Sequence, residues 1–578
     1  MRLSYICFLF LPFLSLRGDS KKPPVPPGGI IERDIQKEYE IKEIDAQKQI
    51  PLLETEVPQR EFDTGGATVF IRHVTFSGNT VVDSSLLEEA IQPILNKELG
   101  MKEIHEICST VEQVYSKEGY FLSKAYVPPQ EIENDTLKIE IIEGKLGTVS
   151  VVGNQYYSKK FIGQHFKKYR GKPLHYDQIL KVLLLLNENS DLNVGAIFKK
   201  GTSYGTADLI VQVNDARPVH LSIDHNNYGS DHTSRYRTGA TLKWGNLLMN
   251  GDMCTLIEVV GSPVDSLNFT ETIYHFPINY YGSCVDLSFL YSNSKTDKLN
   301  ELRYKGISRI ATVKFTQAFQ RTRSLNINLA ASFDYKQIQN FGGRSETSYD
   351  KLRILTGDVD IDYIDNWKGR NLINASLKWG IPNILGGSAP VSSSDSRVNG
   401  GGRFVFLRGS WKRLQKAPYG SFMILSGIFQ YSFDKLPISE QIYIGGVTTV
   451  RGYKLATGIG DSGFYANVEL RVPPPFLRQS RVPFSKKTWG QCVQFVGFLD
   501  HGQVSSVGRN ILRELGVNKM GNPSDEQSYP KQTFLTSSGC GLRIYGPWGF
   551  EWSLDIGFPL THSYPSSMVY FRVEWKIF

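Results

Sequence analysis

From Pro218 to the end of the chain, apolar and polar residues alternate. In Leu325 to Tyr335 the odd positions Leu325, Ile327, Leu329, Ala331, Phe333 and Tyr335 are apolar or aromatic, while Asn326, Asn328, Ser332 and Asp334 are polar. Phe464 to Val472 repeats the pattern against Tyr465, Asn467, Glu469 and Arg471, and Trp552 to Phe558 against Ser553 and Asp555. A period of two predicts strands with one apolar and one wet face. A soluble sandwich also alternates, but it rarely needs residues 218–578 in one sheet system. The mature chain has no apolar run of the about 20 residues that a membrane helix requires. Any membrane span must therefore be built of strands. The segment can supply about sixteen strands of roughly ten residues each.

Upstream the period changes. Ile31, Ile35 and Tyr39 recur at helical spacing, predicting a weakly amphipathic helix to about Lys48, flanked by the proline-rich KKPPVPPGGI and by Pro51 and Pro58. Val69 to Ser77 reads as a strand ending at Gly78-Asn79, and a helix is expected after the cap Asp83. Ile104, Ile107, Cys108, Val111, Val114 and Tyr115 mark one face of a second helix, and strands follow at Lys124 to Val127 and Thr136 to Glu143. The same β-α-α-β-β order returns with a different sequence: Thr148 to Val152, helices from Ser158 and over Tyr176 to Asn187, then strands near Leu192 to Lys199 and Ala207 to Val213.

Composition supports strands over membrane helices. The 578 residues include 29 Tyr, 32 Phe and 53 Gly, yet mean hydropathy is only −0.25. Membrane barrels hide in such numbers because only alternate residues meet lipid. Arg2 followed by an apolar stretch from Ser4 to Leu16 reads as a secretory signal over residues 1–20. The net charge of +8 marks no nucleic-acid footprint. Cys108, Cys254, Cys284, Cys492 and Cys540 form no CxxC pair; a Cys254–Cys284 disulfide and scattered thiols both remain open. His225 and His232 read as solvated loop residues, and no metal or cofactor is expected. Gly460-Asp461-Ser462-Gly463 lacks the further glycine and the histidine segment of a serine protease, and Ser109 stands where HExxH needs its second histidine. No enzyme is expected.

Specific motifs then point to a family. HVTFSGNTVV, YSKEGYFLSKAYVPPQ and LKIEIIEGKLG in the first module resemble the POTRA domain of two-partner secretion transporters, and LLLLNENSDLNVGAIFKKGTSYGTADLIVQV is similar to their second POTRA, with Lys200 where a proline is usual. GGVTTVRGY, Gly445 to Tyr453, resembles the VRGY loop of these transporters and of barrel-assembly insertases, with Val450, Arg451, Gly452 and Tyr453 in place. GFLDHGQV matches their F-x-D-x-G strand through Phe498, Asp500 and Gly502. The resemblance implies a loop folded back into the barrel lumen, where a buried Arg451 needs a partner for its five donors; Asp500 is the candidate, as a two-pronged lock. Glu469 and Arg471 are candidate pore-lining residues, and Ile31, Ile35 and Tyr39 belong to a helix expected to plug the lumen.

The resulting expectation is a mainly β protein: a signal over 1–20, a proline-rich segment, plug helix and linker over 21–67, two periplasmic α+β POTRA modules over 68–145 and 146–217, and a transmembrane barrel of about sixteen strands over 218–578. The implied function is export of one large partner exoprotein, unfolded in the periplasm, across the outer membrane. The implied partners are that exoprotein, outer-membrane lipid and the barrel-assembly machinery that inserts the chain. An exposed edge strand in each POTRA module would capture the cargo by β-augmentation. A barrel-assembly insertase shares the same motifs and is the alternative; a passive porin or receptor would need no POTRA module.

Overall fold

The computed structural model describes residues 28–44, 53–55, 68–249, 251–296, 303–397, 399–483, 487–506, 532–561 and 567–577. The signal segment, Lys48 and Phe578 lie outside the described residues. A helix (Gly28–Ile44) comes first, then a three-residue strand (Leu53–Thr55), two small α+β modules and a closed barrel of sixteen strands running from Val219–Asn226 to Met568–Lys576.

The first module holds helices Ser84–Ile91 and Met101–Lys117 against a sheet of His73–Ser77, Thr136–Ile142 and Lys124–Tyr126. The stretch expected as one strand is broken at Arg72: Val69–Ile71 pairs instead with Lys97–Leu99, a strand with no visible alternation. Cys108 sits in the core expected for it, and burial pushes its thiol up to about 11. The second module packs helices Lys159–Gln164 and Tyr176–Leu186 on Lys145–Val152, Leu192–Lys200 and Thr206–Asp215.

A shared device underlies the repeat. After the first strand of each module the chain turns at a left-handed glycine, Gly78 (φ +85°) or Gly153 (φ +88°). A Cβ there would lie 2.2 Å from the Ile141 oxygen or 2.4 Å from that of Val213, so only glycine allows the close approach. Two residues beyond each of those carbonyls stands a carboxylate that gathers the turn's amides. Glu143 accepts from Val81 N at 2.8 Å, and Asp215 accepts from Gln155, Tyr156 and Tyr157 N at 2.7–2.8 Å.

The second module docks on the periplasmic rim of the barrel. His165 Nδ1 donates to the Phe161 oxygen at 3.0 Å, and the ring is wedged edge-on between Phe161 and Tyr280 of the turn 278–282. Burial lowers its pKa from 6.5 to about 4. The unfolded chain takes up this proton near pH 6.5 and the folded one only near pH 4, so the stabilisation is full above that window and fades as pH falls through it. Acidification across the window is expected to cost the junction about 3 kcal/mol. Protection factors of the Lys159–Gln164 amides, taken relative to the intrinsic exchange rate at each pH, should fall accordingly in the wild type, and much less in His165→Phe.

Along the barrel, exposed Leu256, Leu287, Phe289, Leu329, Phe429, Val468 and Leu499 face outward. Trp244, Trp411, Trp552 and Trp575 lie outward near the periplasmic ends of their strands, with Phe550 stacked on Trp575 at 5.4 Å, as in the aromatic girdle at a membrane interface. The barrel closes through antiparallel pairing of Ser222–Asn226 with Lys576–Arg572. Cys254 and Cys284 are both free. Cys254 shares the outward parity of Leu256, and Cys284 shares the inward parity of Ser288 and Leu290 on a strand two places away, so the wall separates them. His225 lies in the first strand rather than in a loop, stacked 6.2 Å from Tyr236 and with the tilted Phe571 ring 6.0 Å away.

Candidate functional site

Between strands Phe422–Ser432 and Ser462–Val472 the chain does not stay outside. It folds into the lumen as a short hairpin, Ile442–Ile444 with Gly458–Gly460, whose tip carries Val450, Arg451, Gly452 and Tyr453. Gly452 has φ +88°, and the tip presses on the wall so closely that a Cβ on Gly557 would lie 2.5 Å from the Gly452 nitrogen. Tyr570 accepts from Gly452 N at 3.2 Å and donates to the Tyr453 oxygen at 2.8 Å, while Tyr453 donates to Thr536 O. Val450 is buried with Ile442, Ile444, Tyr465, Val504 and Leu535.

The strand Val493–Ser505 presents three side-chain positions to this tip. Phe498 lays its ring 3.5 Å from the Arg451 guanidinium carbon. Asp500 accepts from Arg451 Nε at 2.8 Å, Nη2 at 2.9 Å and the backbone N at 3.0 Å. Gly502 leaves room, because a Cβ there would lie 3.0 Å from Ile444 and 3.1 Å from Val450. Motif spacing thus becomes a stacking face, a two-pronged acceptor and a gap, on one inward face of one strand.

Arg451 also meets partners that no motif indicated. Its Nη1 donates to Glu469 at 2.7 Å and lies 3.6 Å from Asp555. Arg471 holds Glu469 at 2.7 Å, and Arg543 holds Asp555 at 2.7 and 2.9 Å. Three guanidinium groups and three carboxylates therefore balance in the lumen. Glu469 and Arg471 do face inward, but as members of this cluster rather than as free wall charges.

The N-terminal helix lies in the same lumen. Its apolar residues do not face water: Ile31 and Ile35 pack on an inward patch of Ile257, Val259, Leu267, Phe269, Leu290 and Ile310, and Ile30 packs on Tyr443, Leu455, Ala456 and Ile459 of the reentrant loop. Asp34 accepts from Arg237 Nη1 at 3.1 Å and from Thr448 at 2.9 Å. Glu38 accepts from Arg572 at 2.8 Å and Asn226 at 3.1 Å, and Arg33 donates to the Gln441 oxygen. Lys37 sits 4.2 Å over the Tyr465 ring. Tyr39 lies within the helix, which starts three residues before Ile31. Helix, loop and the strands at the closure of the barrel thus form one charged and apolar assembly.

Residues 205–512 match the sequence profile of the haemolysin secretion/activation protein ShlB/FhaC/HecB family, and residues 69–144 match the ShlB-type POTRA domain. The chain belongs to this family. Like its other members, this ShlB/FhaC/HecB protein is an outer-membrane β-barrel transporter with periplasmic POTRA modules. It is 22% identical over 500 residues to the Heme/hemopexin transporter protein HuxB of Haemophilus influenzae, spanning 84% of this chain and 82% of the relative. The Hemolysin transporter protein ShlB of Serratia marcescens is 21% identical over 373 residues, 64% of this chain and 66% of the relative. CdiB from Escherichia coli has a similar structure, with a TM-score of 0.75 at 20% identity, covering 96% of this chain and 99% of that one. BamA from Haemophilus ducreyi lacking POTRA domains 1-3 reaches 0.50 at 13% identity, covering 88% and 100%. The ShlB/FhaC/HecB transporter and BamA share the barrel architecture, and the higher score lies with CdiB.

Proposed function

We propose that this transporter exports a large partner exoprotein of haemolysin or adhesin type, unfolded in the periplasm, through its own lumen. The observation that carries this reading is that the lumen is occupied by a helix held there through its side chains. The helix meets the reentrant loop through Ile30 and Asp34 and the wall through Ile31, Asp34, Ile35 and Glu38, while the loop is fixed to the wall by the Arg451 cluster. Departure of the helix would uncover Asp224, Arg237, Glu271 and Arg572 beside the apolar patch on which Ile31 and Ile35 rest.

The edge of the second POTRA module supports a coupling between capture and opening. One edge of that sheet, Leu192–Lys200, is already occupied: Leu53–Thr55 of the linker pairs with it in parallel, Leu53 opposite Ala196 and Thr55 opposite Phe198. Three residues without a visible pattern gave no sign of this. An extended cargo segment adding to that edge must displace the linker strand. Nine peptide steps separate Leu53 from the helix end at Ile44, a reach of at most about 30 Å. Loss of the linker's hold therefore bears directly on the plug. Edges that the linker leaves free in the described residues are His73–Ser77 and Lys124–Tyr126 in the first module and Lys145–Val152 in the second.

Deleting this chain is expected to stop surface appearance of a secreted repeat protein encoded beside it, while the abundance of other outer-membrane barrels stays unchanged. The assay is immunodetection of both on whole cells and isolated membranes. Loss of the other barrels with continued export would assign the protein to barrel assembly instead. Insertion by the barrel-assembly machinery and contact with outer-membrane lipid belong to the same proposal, the outward aromatic girdle supporting the latter.

A further inference from the structure

One hairpin of the barrel carries a donor set that neither the reentrant loop nor the plug uses. Strands Leu267–Pro277 and Ser283–Lys295 pair with His275 opposite Asp286 and Pro277 opposite Cys284. His275 shares the inward parity of Phe269 and Glu271, and Cys284 and Asp286 share that of Ser288, so all three side chains project from one face into the periplasmic end of the lumen. One donor atom from each, an imidazole nitrogen, the thiol sulfur and a carboxylate oxygen, lie within 4.8 Å of one another. Among the described residues this is the one such trio of His, Cys, Asp and Glu donors.

We propose that His275, Cys284 and Asp286 bind a thiophilic divalent transition metal of the Zn2+ class on the inner wall of the pore. Zinc takes sulfur at about 2.3 Å and nitrogen or oxygen at about 2.0–2.2 Å, which places tetrahedral ligands about 3.3–3.8 Å apart. The donor atoms stand within 4.8 Å of one another on a paired hairpin, so side-chain movements of about 1 Å close them on an ion. His275 Nδ1 and Asp286 Oδ1 stand 2.7 Å apart and share a proton. The ion replaces it there: the imidazole carries its proton on Nε2 instead, the thiol releases one proton to water, and Nδ1, the thiolate and the carboxylate close on the metal. One thiolate and one carboxylate neutralise the two charges of the ion. The fourth position opens to lumen water, as in sites with three protein ligands. Lys314, opposite Asp286 on the next strand, is an adverse feature, a cation beside a cation.

Cobalt is the probe, because its bond to thiolate gives a charge-transfer band that zinc lacks. The purified full chain in detergent, stripped with chelator, is expected to bind one Co2+ with that band, and Zn2+ should displace it. Cys284→Ser should abolish the band, and His275→Ala should weaken binding at least about tenfold. Cys254→Ser, on the outward face, should leave the band intact, and Lys314→Met should tighten binding. In the unaltered protein Zn2+ should also protect Cys284 from alkylation, read by mass spectrometry, which tests the site without any variant. A missing band, a band retained in Cys284→Ser, or alkylation of Cys284 that ignores Zn2+ would each overturn the proposal.

Discussion

Arg451→Ala is expected to abolish most export while the barrel still inserts. Removing the guanidinium leaves Asp500, which is fully buried, together with Glu469 and Asp555, facing one another with only Arg471 and Arg543 to balance them. An uncompensated charge in such a partly desolvated site costs about 3–5 kcal/mol, against about 1 or less for a surface pair. At about 1.4 kcal/mol per tenfold, the docked state of the loop loses a factor of roughly 10² to 10³ or more. Arg451→Lys should also fail, because an ammonium cannot grip both Asp500 oxygens and Glu469 together. Asp500→Ala should be milder, since Arg451 keeps Glu469 at 2.7 Å and Asp555 at 3.6 Å. The Arg451→Ala, Asp500→Ala double variant should export no less than Arg451→Ala alone, because removing both partners removes the unpaired charge. The measurement is secreted cargo at equal barrel abundance, and near-normal export by Arg451→Ala would reduce the cluster to wall packing.

The legible parts of this architecture are those with a local period or a contiguous motif. Alternation in Leu325–Tyr335 and Phe464–Val472 gave the wall, because a strand with one face toward lipid writes its geometry every second residue. Arg451 and Asp500 were legible as a pair through two short motifs. Arg543, Asp555 and Tyr570 were not, because a strand's neighbour across a barrel is set by register, and register is not written in either strand alone. The same reason hid His275, Cys284 and Asp286, whose donors converge only when their hairpin pairs. Inward Ile257, Val259, Leu267 and Phe269 run against the polar-in rule of a channel, and their meaning appears only once Ile31 and Ile35 lie on them. Arg72 interrupts an apparently continuous strand because Val69–Ile71 finds its partner in Lys97–Leu99, outside the main sheet of its module.

Asp34→Arg is expected to loosen the plug helix and raise ion conductance in planar bilayers. The substitution sets two cations together where Arg237, 2% exposed, has Asp34 as its ion-pair partner at 3.1 Å. It also removes the acceptor of Thr448, which ties the helix to the reentrant loop. Loss of a buried pair weakens docking by about 3–5 kcal/mol, enough to raise the undocked fraction roughly 10² to 10³-fold until it saturates. Two other contacts oppose release. Glu38 keeps Arg572 at 2.8 Å, and each buried isoleucine contributes about 1.5–3 kcal/mol. Asp34→Arg should therefore give intermittent openings rather than a permanently open pore, and Asp34→Arg with Glu38→Arg should approach the conductance of a chain lacking Gly28–Ile44. Arg237→Asp added to Asp34→Arg restores opposite charges across the same contact and should return the conductance toward that of the unaltered protein. Conductance unchanged by both Asp34→Arg and the deletion would show that the helix does not obstruct the pore. A rise that Arg237→Asp cannot reverse would place the effect elsewhere than in this pair.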